Sequence, residues 1–201
     1  LTQELDLDAL LIKILKYAIE MLNGNAGLIV LRNEEGGWHI QVSEGVSREF
    51  LEDMKPFLKQ IPDDQDPGNF EVPEVNRVLS EITFSASLGL LSGVGLPLIT
   101  QKKVVGLIYV FRSFNGLFTA NDRSLLRSFA TQAAIAVQNA QLYRSVIRNK
   151  QRLDALINSA ADGILFITSN QIIEHCNPAF SKLVDQLPEK IIGKPHDQIV
   201  R

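Results

Sequence analysis

The chain has 201 residues, of which 45% are hydrophobic and 21% charged, with a formal net charge of −3 at pH 7. This length corresponds to about one domain and a further, shorter segment. A chain of this length can bury enough apolar surface to fold without a metal or a disulfide. The acidic balance argues against a protein that binds nucleic acid by neutralising phosphates. The single cysteine, Cys176, excludes a disulfide framework and a cysteine-rich zinc site.

Targeting and membrane signals are not evident in the sequence. An apolar run such as 104–111 has the length of a strand, far below the ~20 residues that cross a bilayer. The first turn carries Glu4, Asp6 and Asp8 and no basic segment, which is atypical of a signal peptide. We therefore expect a cytoplasmic protein with no nucleic-acid partner and no direct membrane insertion. Because the chain opens on Leu1 rather than Met, we also expect it to be a piece of a longer protein.

The first part of the chain predicts a helix, a hairpin and a second helix. Apolar residues recur at helical spacing from Asp6, a candidate N-cap, to Asn23-Gly24, a candidate left-handed stop. A glycine-rich turn separates two strands, and Ser47 can cap the helix that follows. The predicted elements are a helix over 6–22, strands over 28–32 and 38–43, and a helix over 47–59.

The middle of the chain predicts a loop, two strands and a long helix. The stretch 62–74 is rich in proline and acidic residues, so it predicts mainly loop with a candidate short strand at 69–72. Thr119 or Asn121 begins the long helix. The further predicted elements are one or two helical turns at 75–82, strands over 93–100 and 102–112, and a helix to about 157. This order predicts an α+β domain with a largely antiparallel sheet and helices on its faces.

The long helix carries two apolar stripes. We expect the first, which is wide and alanine-rich, to pack on the sheet; it consists of Leu126, Phe129, Ala133, Val137 and Ala140. From Leu142 onward the second alternates spacings of four and three residues, which is typical of a two-stranded coiled coil. We name it the seam, and it consists of Ile135, Leu142, Val146, Asn149, Leu153 and Leu156. We expect two copies to bury it in a parallel homodimer in which Asn149 fixes the register; the alternative is a helix that folds back on its own chain.

Beyond residue 157 the pattern changes to short strands and turns. Asp162-Gly163 is a turn signal, and Asn177 followed by Pro178 is typical of an N-cap with proline at the first helical position. The predicted elements are strands over 164–168 and 172–176 and a helix over 179–185. Because two strands alone are marginally stable in water, we expect 158–201 to be the opening part of a second domain. We expect residues 160–201 to be poorly ordered or ordered only by their neighbours.

Residues 90–111 and 118–143 resemble the C-terminal half of a GAF domain, and the resemblance extends through 5–83. The matching features are the hairpin with Pro97-Leu98, the strand Val105-Gly106-Leu107, and the helix entry Phe118-Thr119 with Asp122. The resemblance implies a six-stranded or similar antiparallel sheet, a small-molecule cavity on one face and helices on the other. It also implies a parallel dimer through the first and last helices.

Residues 154–200 resemble the start of a PAS domain. The matching features are Asp162-Gly163, Asn177-Pro178-Ala179 and Ile192-Gly193-Lys194. The predicted organisation is a GAF-like domain over 1–143 whose last helix starts near 120, a coiled-coil signalling helix over 144–157, and a truncated PAS-like segment over 158–201. The tandem resembles the sensory part of a bacterial signalling protein, such as a sensor histidine kinase or a cyclic-dinucleotide enzyme.

The resemblance implies sensing and relay rather than catalysis. We expect a small ligand or partner to bind near 61–92 and the dimeric helix to pass the change to an output domain in the same chain. The candidate cavity wall consists of Phe84, Ser92, Val94 and Leu96, for which ordinary core or hinge roles are equally open. Two alternatives remain: a ligand-free dimerisation scaffold whose own side chains fill the cavity, and the regulatory domain of a transcription activator.

This sequence lacks the residues that several known activities of these families require. Covalent bilin attachment and thiol-based sulfoxide reduction require a cysteine in the GAF-like part, and none lies between residues 1 and 151. Cyclic-nucleotide-binding GAF domains carry an Asn-Lys pair followed by Phe-Asp-Glu, of which only Phe118 matches. The cluster Asp63, Asp64 and Asp66 lacks the later ligands of a calcium loop, so we expect a solvated loop. No catalytic or metal motif can be placed, so the expected cofactor is none beyond an unknown small ligand.

Overall fold

The computed structural model describes residues 2–33, 36–62, 66–81, 89–101, 103–114 and 116–199. The chain divides into two compact units, Leu1–Gln141 and Leu142–Arg201. The division falls inside one long helix, close to the predicted end of the GAF-like domain at 143. We describe each unit by itself.

The first unit follows the predicted order of helices and strands. Its elements are α1 (Thr2–Met21), β1 (Ala26–Arg32), β2 (Trp38–Glu44), α2 (Arg48–Leu58), α3 (Val75–Glu81), β3 (Ser92–Thr100), β4 (Lys103–Arg112) and the start of α4 (Ala120–Ser159). Two expectations were wrong. The first helix begins at Thr2, so Asp6 lies within it and is not its N-cap. Residues 69–72, the candidate short strand, form no strand.

Local chemistry explains the helix ends. The Ser47 hydroxyl accepts a hydrogen bond from the Phe50 amide at the start of α2, as predicted. The Thr119 hydroxyl accepts from the Asp122 amide while the Asp122 carboxylate accepts from the Thr119 amide, which is a reciprocal cap on α4. Asn23 has a φ of 49°, so α1 ends on the left-handed residue that the sequence predicted.

The sheet of the first unit is antiparallel throughout. Its four strands among the described residues run in the order β2-β1-β4-β3, and β1 and β4 are the central pair. The GAF resemblance implied about six strands, so the described sheet is smaller than expected. The α+β class with a GAF-like antiparallel sheet and one long helix is confirmed.

Each face of the sheet has its own core, because successive side chains of a strand point to opposite faces. On one face α1 and the first part of α4 pack on the sheet, and the predicted stripe of α4 lies there; the central residues are Leu11, Leu15, Ile29, Ile108, Leu126, Ala133 and Val137. On the other face α2 and α3 cover the sheet; the central residues are Leu28, Phe50, Met54, Phe57, Leu107, Tyr109 and Phe111. The first unit is therefore a three-layer structure with helices on both sides.

The second unit is small. It contains the end of α4, β5 (Leu165–Ile167), β6 (Ile173–Cys176), α5 (Pro178–Leu183), α6 (Pro188–Ile191) and a 3-10 turn (His196–Gln198). Ile173, Cys176, Phe180 and Ile191 form its buried core. The predicted strands and the Asn177-capped helix are present but shorter than expected. Among the described residues, no helix of either unit combines the length and apolar character needed to span a membrane.

Arg112, the last residue of β4, joins three elements of the first unit. It is 6% exposed, and its Nε donates to the backbone oxygen of Leu22 over 3.0 Å while Nη2 donates to the same oxygen. Nη2 also lies 3.3 Å from the Asp122 carboxylate, and the guanidinium lies 3.9 Å from the centre of the Phe118 ring. The hydrogen bond from the Thr119 amide, together with Arg112, holds the pKa of Asp122 below its ordinary value. Asp122 is therefore a carboxylate at neutral pH.

We expect Arg112→Met to lower the free energy of unfolding of the first unit by about 2–3 kcal/mol, because it leaves the Leu22 oxygen without its side-chain donor and removes the cation beside the Asp122 carboxylate. Urea unfolding followed by the fluorescence of Trp38, the only tryptophan of the chain, measures the change. The matched control is Arg127→Met, which removes an exposed arginine from α4. Equal loss in the two variants would contradict the role assigned to Arg112.

Candidate functional site

Four aromatic side chains lie on the sheet face that α2 and α3 cover; we call Phe50, Phe57, Tyr109 and Phe111 the aromatic cluster. Phe50 meets Phe111 edge-on at 5.5 Å, and Phe57 meets Tyr109 in the same way at 6.0 Å between ring centres. Tyr109 and Phe111 are stacked at 6.3 Å. All four are buried. The cluster therefore fills the middle of this face with the chain's own side chains.

A glycine of β3 makes room for the cluster. A Cβ atom at Gly95 would lie 2.3 Å from Cε1 of Tyr109, and a Cβ at Gly93 would lie 2.8 Å from Cδ1 of Phe111. Real Cβ atoms do not approach ring carbon atoms so closely. The rings are packed in the core, so moving them aside would cost free energy. Glycine at 95 is therefore required by the position of the Tyr109 ring.

The Tyr109 hydroxyl is a buried polar atom with no hydrogen-bond partner among the described residues. Burial raises the pKa of Tyr109 above its ordinary value, so the phenol is neutral at physiological pH. An unpaired buried hydroxyl costs about 1–3 kcal/mol. The ring and its hydroxyl both lie inside the packed core of this face.

Two openings border the core beneath α2 and α3. The smaller, about 100 Å³, lies beside Asn76, whose Oδ1 accepts a hydrogen bond from the Gly93 amide over 2.7 Å. The larger is a groove of about 420 Å³ between the end of α2 and the β1–β2 turn; it is lined by Asn33, Gly37, Trp38, Lys55, Leu58, Lys59 and Ile61. Small-molecule sites usually measure about 300–1,000 Å³, so of these two openings it is the groove that has the size of a ligand site.

The predicted cavity residues do not come together in one place. Phe84 lies outside the described residues. Ser92, at the start of β3, donates from its hydroxyl to the Phe114 backbone oxygen over 3.3 Å. Val94 is 2% exposed and packs, with Leu96, against α1 and α4 on the face opposite the aromatic cluster. Val94 and Leu96 thus have a core role, which the sequence left open, and a ligand-binding role for the four residues stays a prediction.

The other candidate chemical groups have ordinary surroundings. The Asp66 carboxylate accepts from the Gly68 amide over 2.9 Å and from the Asn69 side chain, and Asp63 and Asp64 lie outside the described residues. Cys176 is buried in the core of the second unit, and burial raises the pKa of its thiol. Within the described ranges, no group of three or more His, Cys, Asp or Glu side chains is placed to hold a metal ion.

The apolar residues of the seam point into solvent. Their exposed fractions range from 46% at Ile135 to 65% at Val146, and the polar member, Asn149, is also exposed. Leu142, Leu153 and Leu156 fall within that range. A row of exposed leucine, isoleucine and valine side chains along one helix is typical of an interaction surface rather than of a free surface.

A second exposed row lies on α1, and the sequence interpretation missed it. Leu10, Tyr17 and Met21 are 45–56% exposed, and Ile14 between them is half-buried. We call Leu10, Ile14, Tyr17 and Met21 the α1 stripe. Its spacings of four, three and four residues are those of the seam, so the signal was present in the sequence. It was overlooked because the neighbouring face of α1, with Leu11 and Leu15, fits the helical period equally well.

We expect Tyr109→Phe to raise the free energy of unfolding of the first unit by about 1 kcal/mol, because it removes a buried hydroxyl that lacks a partner and leaves the ring packing intact. Tyr143→Phe, at an exposed position of α4, is the control and should change little. Urea unfolding measures both. A loss of stability in Tyr109→Phe would mean that the hydroxyl is hydrogen-bonded in solution.

The chain is similar in sequence and in fold to proteins of one family. A family model described as "GAF domain" matches residues 6–137. A domain of a protein assigned as a two-component sensor histidine kinase, from Sinorhizobium meliloti 1021, has 16% identity and a TM-score of 0.50, with 66% of this chain and 92% of that chain covered. A GAF domain/HD domain protein from Geobacter sulfurreducens has 18% identity and a TM-score of 0.50, with 70% and 97% covered. No curated protein matches the chain.

Proposed function

The chain belongs to the GAF family, and from this premise we propose that it is the regulatory sensory module of a cytoplasmic bacterial signal-transduction protein. In this proposal the first unit binds a small ligand or a partner, α4 relays the change within a parallel homodimer, and an output domain of the same chain, such as a histidine kinase, responds. The second unit is then the opening part of a PAS-like domain. The chain itself has a regulatory and not a catalytic role.

The observation that carries the proposal is the exposed seam of α4. Burying apolar surface stabilises association by about 25 cal/mol per Å², and the seam holds five large apolar side chains at coiled-coil spacing. Two copies side by side satisfy that spacing, with the two Asn149 side chains facing each other across the interface. The amide pair weakens the association but fixes one register, which a relay through helices requires.

The α1 stripe supports a wider interface. It lies in the first unit, on the helix that packs beside the start of α4 against the same sheet face. Its exposed side chains and those of the seam share one spacing, so both helices are suited to helix–helix contact with a second copy. We therefore propose that the dimer uses α1 together with α4.

The proposed ligand site is the groove beside the aromatic cluster. Leu58 and Ile61 line the groove and also belong to the core beneath α2, so an occupant there contacts the packing of that face. Lys55 lines the groove and pairs with Glu52 on the surface, an exposed pair that contributes little to stability. An effector shifts the helix arrangement only if it binds one arrangement more tightly than the other.

The test of the relay is the oligomeric state. Val146→Asp combined with Leu153→Asp places two unpaired charges in the proposed interface, at several kcal/mol each. We expect this variant to sediment as a monomer at concentrations where the unchanged chain is a dimer, while circular dichroism of the folded units is retained.

The matched control is Gln151→Asp combined with Asn158→Asp. It adds the same two negative charges to α4 at positions outside the seam, so it should remain dimeric. If the seam variant is dimeric as well, or if the unchanged chain sediments as a monomer at high concentration, the proposed relay through a dimeric α4 is wrong.

Native mass spectrometry of the chain purified from its host tests the ligand half of the proposal. A stoichiometric small molecule whose removal shifts the fluorescence of Trp38, which lines the groove, supports a sensor. A chain of the bare mass, with Trp38 fluorescence unchanged by unfolding and refolding, favours the alternative of a ligand-free dimerisation scaffold. The aromatic cluster, which fills its own face, is the observation that favours that alternative.

A further inference from the structure

Asn177 is a fully buried polar residue of the second unit, with 0% exposure. Its side-chain oxygen accepts from the Ile164 amide over 2.8 Å and from the Phe180 amide over 2.9 Å. Its side-chain nitrogen donates to the backbone oxygens of Ile157 over 3.1 Å and of Asp162 over 2.8 Å. The amide therefore uses two acceptor positions and both donors, which is its full hydrogen-bonding capacity.

The four partners belong to four different parts of the unit. Ile157 lies in the last turn of α4, Asp162 in the turn that follows, Ile164 just before β5, and Phe180 in the first turn of α5. The turn itself is packed tightly, because a Cβ at Gly163 would lie 3.1 Å from Cα of Phe180. One side chain thus connects the end of the long helix to the strand and helix beyond it.

Capping alone does not explain the residue. An N-cap needs only a side-chain oxygen, and serine or aspartate supplies that as well as asparagine does. The two donor bonds of the Asn177 nitrogen do not contribute to the cap of α5. The bond to Ile157 instead occupies one of the last backbone oxygens of α4, whose other donor is the Ala160 amide at 3.3 Å, just beyond the helix.

We propose that Asn177 is the positioning residue that couples α4 to the β5–β6 hairpin; this deepens the relay function proposed above and rests on it. A displacement of the last turn of α4 moves the Ile157 oxygen. The Asn177 amide must then follow, with the start of β5 and the cap of α5, or the bond to Ile157 must break. A helix movement is in this way converted into a movement or a loosening of the hairpin.

Hydrogen exchange of the full chain, combined with a double-mutant cycle, tests the coupling. Ala155→Gly weakens α4 at an exposed position off the seam by about 1 kcal/mol. We expect it to speed exchange of segment 165–176 about fivefold, the factor that corresponds to that free energy. In an Asn177→Ser background, which keeps an oxygen for the cap and lacks the two donors, Ala155→Gly should have no further effect on this segment.

Two controls make the result specific. Gln132→Gly weakens α4 at an exposed position in the first unit and should leave exchange of 165–176 unchanged. Asn177→Asp, which can accept both amide bonds but donates none, should uncouple the segments as Asn177→Ser does. If Asn177→Ser unfolds the hairpin, exchange of 150–157 becomes the measurement, and the proposal then expects faster exchange there too.

The proposal is overturned if Ala155→Gly has the same effect with and without Asn177, or no effect on 165–176 in the unchanged background. It is also overturned if the last turn of α4 stays fully protected when the hairpin is unfolded. The coupling through Asn177 lies within one chain, whereas the proposed relay requires a dimer. Sedimentation of the same samples therefore tests the two proposals separately. A monomer with intact coupling contradicts the dimeric relay and leaves the role of Asn177 standing.

Discussion

The buried guanidinium of Arg112 is the interaction on which the arrangement of the first unit depends. It binds the backbone oxygen of Leu22 at the end of α1 and the carboxylate of Asp122 in the first turn of α4. Both contacts are favourable for the helix dipoles, because a cation lies at a helix C-terminus and an anion at a helix N-terminus. The side chain stacks on Phe118 as well. One residue thus holds the end of α1 next to the entry of α4, the two helices whose apolar faces pack on the same face of the sheet.

The strand that ends at Arg112 also connects the two faces of the sheet. Along β4, Ile108 and Val110 belong to the core beneath α1 and α4, while Tyr109 and Phe111 belong to the aromatic cluster beneath α2 and α3. A close-packed interior transmits small displacements instead of absorbing them. An occupant that displaces the aromatic cluster therefore acts on the strand that holds the helix joint. This geometry suits a domain in which binding on one face is read by helices on the other.

Local elements of this fold could be predicted from the sequence, whereas the contacts between distant residues could not. The caps at Ser47 and Asn177 are local patterns, and the structure confirms both. The period of the seam is local too, and the dimer that it predicts stays a prediction. Leu22 and Arg112 are separated by 90 positions, and nothing local to either residue indicates their contact. The alternation of β3 places Val94 and Leu96 on one face and Gly93 and Gly95 on the other, but only the packed structure tells which face α2 and α3 cover. The sequence alone therefore does not tell which core the side chains of Val94 and Leu96 belong to.

Polar side-chain contacts hold both ends of α4. At its start, Arg112 and Thr119 bind Asp122, and at its end the Asn177 amide binds the Ile157 oxygen. Each is a buried or half-buried polar contact whose loss leaves unpaired groups, so each end is costly to detach. Between these contacts, the first half of the helix packs on the sheet and the second half exposes most of the seam. Such a helix changes most easily by rotation or sliding of its exposed half against a second helix, which leaves the polar contacts at its ends intact. The polar anchors thus favour a relay through helix–helix packing over one that melts α4.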